Sequence, residues 1–402
     1  MSIWVIISFL ACYSTWVIAH LIASPINLCT ISTQYRADLK EPQPLLLKQD
    51  DGIKFWYPDD DGKLRVNAGE SFYLACPGRE NYLKNRGWGN LVEAVCIKNK
   101  VFYMNDVRQY LRSLSCNSHA EHYARYMDSP PCLDRYTPIE IGFNVNGTFI
   151  RTIEICRDNV TYTTYYTKFK MTKTIENYQK NYPRPQEFNA GSFYPGIDME
   201  EAYKFKNQVN ILAKTLKSFK LAKNLLYDRS QYLSRGHMVA KVDFVYGAQQ
   251  RSTFWYLNTA PQWQTFNGGN WNSLEISVRY FAATYRLDLD VYTGVHGHMT
   301  MKDIYDNQEP LYLHALSVPK FYWKVIYDPL SKQGTAFVGL NDPFITSITD
   351  DIYLCKDISE KIEWLTWQPK NITAGISYAC SVDDLREAVP TVPLFDVIDI
   401  LI

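Results

Sequence analysis

The placement of the cysteines constrains the fold of this chain more than any other feature of its sequence. There are 9 cysteines, and Cys12 lies in an apolar leader. Six of the other eight fall between Cys29 and Cys156, and the last two are Cys355 and Cys380. An even number suits an oxidised framework, and the absence of any Cys-x-x-Cys pair argues against a zinc site. The cysteines therefore predict a disulfide-bonded protein whose amino-terminal part is the more heavily cross-linked.

The first residues read as a targeting signal. Residues 3–21 are almost all apolar, and small side chains follow at Ala23 and Ser24, where a signal peptidase could cut. We therefore predict a signal peptide over residues 1–23, whose removal takes Cys12 with it. No Lys or Arg precedes the apolar stretch, so an uncleaved membrane anchor of similar length stays open as an alternative.

Three glycosylation sequons agree with a secretory route. They are Asn146-Gly-Thr148, Asn159-Val-Thr161 and Asn371-Ile-Thr373. Such sequons receive carbohydrate only in secreted or luminal proteins. Together with the leader and the cysteine parity, they predict a secreted, extracellular glycoprotein with no stable membrane partner.

The pattern of apolar and polar residues changes near residue 157, which predicts two structural units. Short alternating apolar runs at residues 72–75, 101–104 and 139–150 are separated by turn residues, which indicates a small disulfide-rich β module over residues 24–157. Further on, residues 160–171 form a Thr- and Tyr-rich strand pattern, and residues 199–226 show a helical period. The second unit, residues 158–402, is therefore predicted to be α+β.

Charge is balanced overall but uneven along the chain. The 402 residues include 42 Lys+Arg and 42 Asp+Glu, and 46% are apolar, which excludes a disordered tail protein and a uniformly basic nucleic-acid coat. Residues 168–251 contain 15 Lys+Arg against 7 Asp+Glu, whereas residues 341–402 contain 4 against 11. The basic stretch would attract a polyanion, or it is a solvated, lysine-rich helix face, and charge alone leaves both interpretations open.

The segment from residue 232 to 279 is polar where a core should be apolar. Residues 253–257 read as a buried strand with Asn258 at its end. Asn270 is positioned to cap a helix from Trp271 to about residue 286, in which the apolar residues Leu274, Val278 and Phe281 would face inward. Glu275 and Arg279, four positions apart, would share one face of that helix. We therefore expect the polar side chains of this segment to converge on a cleft; they are Arg235, His237, Asn258, Asn267, Glu275 and Arg279.

These residue types suit phosphodiester hydrolysis. A neutral imidazole at His237 could take a proton from water, and Gly236 beside it would leave space for a substrate. A single amide oxygen such as Asn267 can anchor Mg²⁺ without cancelling the charge of the ion. Arg235 and Arg279 offer fork-shaped donors for phosphate oxygens.

The same residues resemble the active-site block of the DNA/RNA non-specific endonucleases, the ββα-metal or His-metal finger nucleases. The family signature is Asp-Arg-Gly-His, then an Asn, a Pro-Gln and an Asn-x-x-x-Trp-x-x-Leu-Glu helix. This chain keeps that order over about fifty residues, and the amino-acid sequence of this stretch is most similar to that of secreted arthropod nucleases that degrade double-stranded RNA. The matching residues are Arg235-Gly236-His237, Asn258, Pro261-Gln262, Asn267, Trp271, Leu274-Glu275 and Arg279.

The resemblance implies roles for these residues. His237 would be the general base, Asn267 the one direct protein ligand of Mg²⁺, and Glu275 and Asn258 would hold metal-bound water, with support from Gln262. Arg235 and Arg279 would contact phosphate. The implied fold is a ββα-metal nuclease domain behind the disulfide-rich β module, and Mn²⁺ is expected to substitute for Mg²⁺.

Two departures limit this transfer. The first signature position, usually Asp, is Ser234 here, and we expect this change to tune the site without inactivating it. The family also uses an upstream arginine in the transition state, for which the sequence offers only Arg229, Lys204 and Lys206 as candidates.

The sequence predicts a secreted, Mg²⁺-dependent endonuclease that cuts RNA without sequence choice and favours double-stranded RNA. Its products would carry a 5′ phosphate, and whether it also cuts DNA stays open. Two alternatives stand beside it: a catalytically silent nucleic-acid-binding protein of the same fold, and a phosphodiesterase for small substrates. His296-Gly-His298 is interpreted as a surface strand, because no Cys or carboxylate completes a metal site. Trp255, Trp263 and Trp271 are interpreted as core residues. The oligomeric state stays open.

Overall fold

The computed structural model describes residues 28–84, 88–226 and 230–402. The predicted signal peptide, Cys12 and Arg229 lie outside these residues. Within them, no helix is long and apolar enough to cross a lipid bilayer.

The amino-terminal part is built from eight short strands. Alternating apolar residues produce them, as in β4, where Leu64 and Val66 are buried between exposed neighbours. Six of the strands form one antiparallel sheet in the order β3-β2-β5-β6-β7-β8, and β1 pairs with β4. The bounds are β1 Leu28–Ser32, β2 Leu45–Asp50, β3 Gly52–Phe55, β4 Lys63–Asn67, β5 Ser71–Ala75, β6 Leu91–Lys98, β7 Val101–Met104 and β8 Val107–Tyr110.

One short and three longer strands follow. β10 and β11 form a hairpin whose two-residue turn is Asn146-Gly147, both with positive φ, as a tight hairpin turn of this kind requires. The predicted run over residues 139–150 is therefore parts of two strands and their turn. The bounds are β9 Tyr123–Tyr126, β10 Thr137–Val145, β11 Thr148–Arg157 and β12 Thr164–Met171.

The middle of the chain supplies helices and a second hairpin. The helical period over residues 199–226 resolves into three helices, α1 Met199–Ala202, α2 Phe205–Thr215 and α3 Phe219–Leu225. Strands β13 Leu233–His237 and β14 Thr259–Trp263 then pair antiparallel. Three helices belong to the same region: α4 Gly247–Ser252, α5 Gln264–Phe266 and, after a π turn at Asn267–Trp271, α6 Asn272–Tyr285.

The remaining strands complete the main sheet and its borders. They are β15 Leu289–His296, β16 Thr300–Lys302, β17 Gln308–Pro310, β18 Tyr312–Leu313, β19 Leu316–Ser317, β20 Phe321–Asp328, β21 Gln333–Leu340 and β22 Ser377–Cys380, followed by helix α7 Val382–Ala388. Short 3₁₀ turns lie at Leu111–Ser113, Ile175–Asn177, Lys241–Asp243, Tyr256–Asn258, Asp350–Ile352 and Ser359–Lys361.

One antiparallel sheet of eight strands, in the order β22-β21-β20-β15-β12-β11-β10-β9, forms the centre of the molecule. All eight residues of β20 are buried, so this strand is covered on both faces. Val291 and Ile326 belong to the same buried cluster as Leu274, Val278 and Phe281 of α6, the three residues predicted to face inward. The other face packs against α7 and the chain around it.

This sheet crosses the domain boundary that the sequence suggested. The predicted boundary between residues 157 and 158 falls between β11 and β12, which are hydrogen-bonded neighbours. The six-stranded sheet, which ends at Tyr110, is therefore a better candidate for a separate amino-terminal unit than residues 24–157.

All eight cysteines of the described part are oxidised. The pairs are Cys29–Cys96, Cys76–Cys116, Cys132–Cys156 and Cys355–Cys380. The cysteine parity therefore predicted complete pairing correctly. The first two pairs lie in the amino-terminal part, and the other two tie chain segments onto the main sheet.

Candidate active site

The polar segment singled out in the sequence forms a hairpin followed by a helix. β13 and β14 pair so that Ser234 lies opposite Gln262 and His237 opposite Thr259. α5 and the π turn then lead directly into α6. This arrangement brings Arg235, His237, Gln262, Asn267, Glu275 and Arg279 into one region of the molecule.

The predicted strand at residues 253–257 and the predicted helix cap are both displaced. The buried strand of this region is β14, which begins at Thr259, and residues 256–258 form a 3₁₀ turn before it. Asn270 does not cap α6. Its side chain is 2% exposed, donates to the carbonyls of Gln368 (2.7 Å) and Gly375 (2.6 Å), and therefore ties the π turn to a later loop.

His237 lies at the end of β13 under an aromatic cover. The rings of Phe188 and Phe254 approach its imidazole, with centroids at 5.2 and 5.0 Å. Its Nε2 is buried and has no hydrogen-bond partner within the described residues. Burial lowers the pKa of His237 to about 4, because the charged imidazolium loses its hydration. The ring is therefore neutral at physiological pH, as a general base must be.

Asn267 is held in one orientation by Ser234. Its Nδ2 donates to the Ser234 hydroxyl at 3.1 Å, and that hydroxyl donates to the Gln262 carbonyl at 2.8 Å. The amide nitrogen is therefore engaged, and no hydrogen bond within the described chain uses the amide oxygen. Ser234, which replaces the family's usual Asp, thus contacts the residue predicted to bind the metal.

Gln262 is buried with its amide unpaired. Both Oε1 and Nε2 lack hydrogen-bond partners among the described residues, and the side chain is 0% exposed. A Cβ added at Gly236 would lie 2.4 Å from Gln262 Oε1 and 2.8 Å from the Tyr322 hydroxyl. The space beside Gly236 is therefore filled by these two side chains, which corrects the expectation that it admits the substrate.

Asn258 has a structural environment. It is 0% exposed, accepts from Val239 N at 3.0 Å, and donates to the carbonyls of Val239 (3.0 Å) and Thr253 (2.9 Å). All of its donors are used by the backbone. Its assignment as a holder of metal-bound water therefore needs correction, because the side chain ties together the loop that links β13 to β14.

Arg235 lies in an aromatic cage and is paired. Its guanidinium stacks over Phe188, Tyr203 and Tyr256 at 5.0 to 5.6 Å, and its Nη2 lies 2.9 Å from Glu200 Oε2. The cage fixes the direction of the guanidinium. A phosphate at this position would compete with Glu200, a half-exposed carboxylate of α1.

Arg279 belongs to a buried group of four charges. Its Nη1 contacts Asp243 Oδ1 at 2.6 Å, with side chains 12% and 2% exposed. Lys324 of β20 is 1% exposed and donates to Thr293 Oγ1 at 2.6 Å. Together with Glu275, these residues place two carboxylates and two cations in mutual Coulomb range.

The protonation of this group follows from its burial. Burial, and then the Asp243 carboxylate, raise the pKa of Glu275, while Lys324 and Arg279 act in the opposite direction. Burial lowers the pKa of Lys324, although both carboxylates favour its charged form. Arg279 is therefore a member of a compensated ionic cluster in this structure, and its charge is not left free for a phosphate.

Sequence reasoning missed several contributors. Asp243 and Lys324 complete the ionic cluster, and Phe188 covers the catalytic candidate. A signal existed for Lys324, because a lysine inside the apolar run of residues 321–327 is unusual and indicates a paired buried charge. Phe188 carried no such signal, since only tertiary packing brings it to His237.

The candidates for the upstream cation fare differently. Lys204 pairs with Glu201, Lys206 is exposed, and Arg229 lies outside the described residues. Arg184, not considered from the sequence, is exposed on the segment that also carries Phe188. Burial, followed by Arg184 and Arg251, lowers the pKa of Lys241, which indicates that these three cations lie near one another.

The remaining motifs stay outside the site. Trp255, Trp263 and Trp271 are 5%, 0% and 1% exposed, which confirms that they are core residues. His296 and His298 border a cavity of about 250 Å³. Among the described residues, no group of three or more His, Cys, Asp or Glu side chains is arranged to hold a metal ion.

Comparison with known proteins places the chain. Residues 138–385 match the sequence model of the DNA/RNA non-specific endonuclease family, which is more than half of the chain. The chain belongs to this family. The resemblance predicted from residues 235–279 is confirmed, and with it the nature of the protein as an endonuclease, a hydrolase of a metal-dependent family that acts on nucleic acids.

Several relatives are named as salivary proteins, and two of them match most of the chain. A salivary endonuclease of Lutzomyia longipalpis is 25% identical over 377 residues, covering 89% of this chain and 82% of that protein. Salivary protein Tsal2A of Glossina morsitans morsitans is 25% identical over 384 residues, covering 92% of each. A salivary endonuclease of Culex quinquefasciatus is 32% identical over 117 residues, which are 27% of this chain and 30% of that protein.

Among solved structures, the crystal structure of the EndoG/EndoGI complex, described as showing a mechanism of EndoG inhibition, matches with a TM-score of 0.37 at 20% identity. The match covers 62% of this chain and 87% of that chain.

Proposed function

We propose that this endonuclease is a secreted, Mg²⁺-dependent enzyme that hydrolyses RNA without sequence choice, favours double-stranded RNA and accepts DNA as a second substrate. In this proposal β13, β14 and α6 are the ββα-metal unit. The observation that carries it is the hydrogen-bonded pair formed by Ser234, on the strand that also bears His237, and Asn267 of the π turn. The hydroxyl engages the amide nitrogen and leaves the amide oxygen available.

The residues present fit a hard divalent cation. Asn267 Oδ1 is a neutral oxygen ligand whose direction is fixed by Ser234, and the unpaired amide of Gln262 lies on the neighbouring strand. Oxygen donors of this kind suit Mg²⁺, and Mn²⁺ as a substitute. When bound, such an ion supplies Lewis-acid stabilisation of the charge that develops on the phosphate.

The chain's own residues then divide the remaining work. His237, neutral because its ring is buried, takes the proton of the attacking water at an imidazole nitrogen. Arg235, whose direction is fixed by its aromatic cage, donates to a phosphate oxygen that takes the place of Glu200. Arg184 enters as a candidate for the upstream cation, because its segment places Phe188 on the imidazole.

Secretion is part of the same proposal. The four disulfides suit an oxidising compartment. The sequon residues Asn146, Asn159 and Asn371 are all exposed, as glycosylation requires. Two of the relatives above are named salivary endonucleases, and we infer a comparable secreted, lumenal setting for this chain.

The test is cleavage by the purified secreted protein of three long substrates of equal length: double-stranded RNA, single-stranded RNA and duplex DNA. Each is incubated with Mg²⁺, with Mn²⁺ and with EDTA. We expect cleavage in both metals, none in EDTA, 5′ phosphate ends, and the highest kcat/KM on double-stranded RNA.

His237→Ala is the blank, and His298→Ala, an exposed histidine outside the site, is the matched control that should keep full activity. Undiminished cleavage in EDTA would overturn the metal proposal. Tight duplex binding without cleavage by the wild-type protein would favour the catalytically silent alternative. Hydrolysis of a small chromogenic diester alone would favour the small-substrate phosphodiesterase.

A further inference from the structure

Helices α2 and α3 carry a positively charged surface that lies outside the candidate catalytic residues. Residues 202–226 contain six lysines and no aspartate or glutamate, and all six are exposed. Lys204 pairs with Glu201, and Lys217 pairs with Asp303 and Glu309. The other four, here called the lysine surface, form no ion pair within the described part of the chain; they are Lys206, Lys214, Lys220 and Lys223.

The helices arrange these charges in a compact area. Lys206 and Lys214 are eight residues apart on α2, which corresponds to about 12 Å along the helix axis and to directions about 80° apart around it. α3 packs against α2 after a short turn and adds Lys220 and Lys223, one helical turn apart. The lysine surface is therefore an area of positive charge and not an isolated cation.

This surface is fixed to the strand that bears the catalytic candidates. Gln208 of α2 is 1% exposed and donates to the carbonyl of Leu233 at 2.9 Å, while it accepts from Leu233 N at 2.8 Å. Leu233 begins β13, so Arg235 and His237 follow within four residues. In addition, Glu200 of α1 contacts Arg235. A nucleic acid bound at His237 therefore has the lysine surface as a rigid neighbour.

A helix face that serves only solubility would have a different distribution of charge. Surfaces that serve solubility intersperse both signs of charge, whereas residues 202–226 carry one sign only. Phe219 (58% exposed) and Leu221 (37% exposed) also lie among the lysines. The absence of counter-charges in this stretch leaves the lysines available to an anionic partner.

We propose that the lysine surface binds the phosphate backbone of a nucleic-acid duplex outside the cleavage site. The proposal rests on the proposed function and adds to it a substrate-binding area that selects long duplexes. Backbone charge is the property of a duplex that lysines recognise without reading sequence. Each phosphate neutralised by a lysine releases counterions, so affinity falls with salt by a slope of about 0.9 per contact.

The experiment measures binding and not cleavage. His237→Ala protein is titrated with a double-stranded RNA of about 30 base pairs at 50 to 200 mM KCl, with and without Lys214→Gln, Lys220→Gln and Lys223→Gln together. Lys206 is left intact because it is also a candidate for the upstream cation. Glutamine keeps helix propensity close to that of lysine. The control combines Lys356→Gln, Lys361→Gln and Lys370→Gln, which remove the same charge from exposed positions elsewhere.

We expect the lysine-surface variant to bind more weakly and to lose up to about 2.7 of the slope of log affinity against log salt. Over this fourfold salt range, that loss corresponds to a roughly 40-fold smaller decrease in affinity. The control variant should keep the slope of its parent. Equal slopes in the two triple variants would overturn the proposal.

A second arm uses vesicles of phosphatidylserine and phosphatidylcholine. Vesicle binding that depends on the three lysines, with an unchanged RNA slope, would assign the surface to a lipid membrane and overturn the duplex proposal. Failure of the proposed function is distinguishable from failure of this inference, because absent cleavage by the wild-type protein does not affect the binding slopes of the His237→Ala proteins.

Discussion

The two halves of the candidate site differ in how their polar atoms are satisfied. On the hairpin side, His237 Nε2 and the Gln262 amide have no hydrogen-bond partner among the described residues, and within them Asn267 is bound only through its nitrogen. On the helix side, Arg279 and Asp243 are paired and Lys324 lies beside them, all largely buried. Unpartnered polar atoms cost stability and persist where a reactant will meet them, whereas paired charges maintain shape. The difference therefore suits our proposal that the hairpin residues meet the reactants and that the helix cluster supports the fold.

The largest expected effect tests the acting side. His237→Ala should lower kcat/KM on double-stranded RNA by about 10² to 10⁴, the usual contribution of a general base. Because His237 Nε2 forms no hydrogen bond within the described residues, the free energy of unfolding should fall only by the loss of ring contacts with Phe188 and Phe254. Cleavage rates and urea unfolding of the same preparation check both statements. A near-wild-type rate would remove His237 from the mechanism.

The next effect tests the supporting side. Asp243→Ala leaves Arg279 and Lys324 with an uncompensated buried charge, which should lower the free energy of unfolding by about 3 to 5 kcal/mol. Urea unfolding measures the change. Asp306→Ala, which removes a carboxylate 87% exposed and 3.6 Å from Lys302, is the control and should cost almost nothing. Equal stability of the two variants would show that the cluster does not support the fold.

Ser234 belongs to the hairpin side, where it orients Asn267, and its loss should have a smaller effect than the two changes above. Ser234→Ala frees the Asn267 amide to rotate, so we expect the affinity for Mg²⁺ to fall about 10- to 100-fold, as for other residues that orient a metal ligand. Calorimetric titration of Mg²⁺ and its half-saturating concentration in cleavage are the two measurements. Ser234→Thr, which keeps the hydroxyl, should restore most of the loss; a failure of this rescue would argue against orientation by the hydroxyl.

The smallest effect is a flat pH profile. A buried imidazole with a pKa near 4 stays neutral through the neutral range, so kcat/KM should fall only as pH drops through about 4, instead of through the ordinary value near 6.5. Phe188→Ala uncovers the ring and should move the inflection upward. A wild-type inflection near pH 6.5 would contradict the burial of the base.

Local patterns predicted the elements that depend on near neighbours. The cysteine parity predicted full pairing, and the apolar spacing of Leu274, Val278 and Phe281 predicted α6. Periodicity also predicted the strand at residues 101–104 to the residue. Each of these signals arises within a few positions of the chain, where spacing and side-chain size alone decide the outcome.

The environments of individual polar side chains were less predictable. Asn258 and Asn270 read as site and cap residues, but Asn258 satisfies the backbone of the loop that links β13 to β14, and Asn270 satisfies that of a loop about 100 residues further on. Gly236 read as an opening for substrate, although Gln262 and Tyr322 fill the space beside it. An asparagine in an active site and one that supports a loop look the same in the sequence, and so do an open and a filled glycine position. Their partners depend on which segments fold against them, and only the tertiary structure shows this.

The sequence by itself determined that this chain is a disulfide-bonded member of its nuclease family, and it marked His237 and Asn267 as the residues that we propose as general base and metal ligand. Only the tertiary structure decided the state of those residues: the neutral, covered imidazole, the amide turned by Ser234, and the cluster in which Arg279 meets Asp243 and Lys324. The physical reason is that identity and spacing are local, whereas desolvation and pairing energies depend on segments that are up to about 80 residues apart in this site, as Asp243 and Lys324 are.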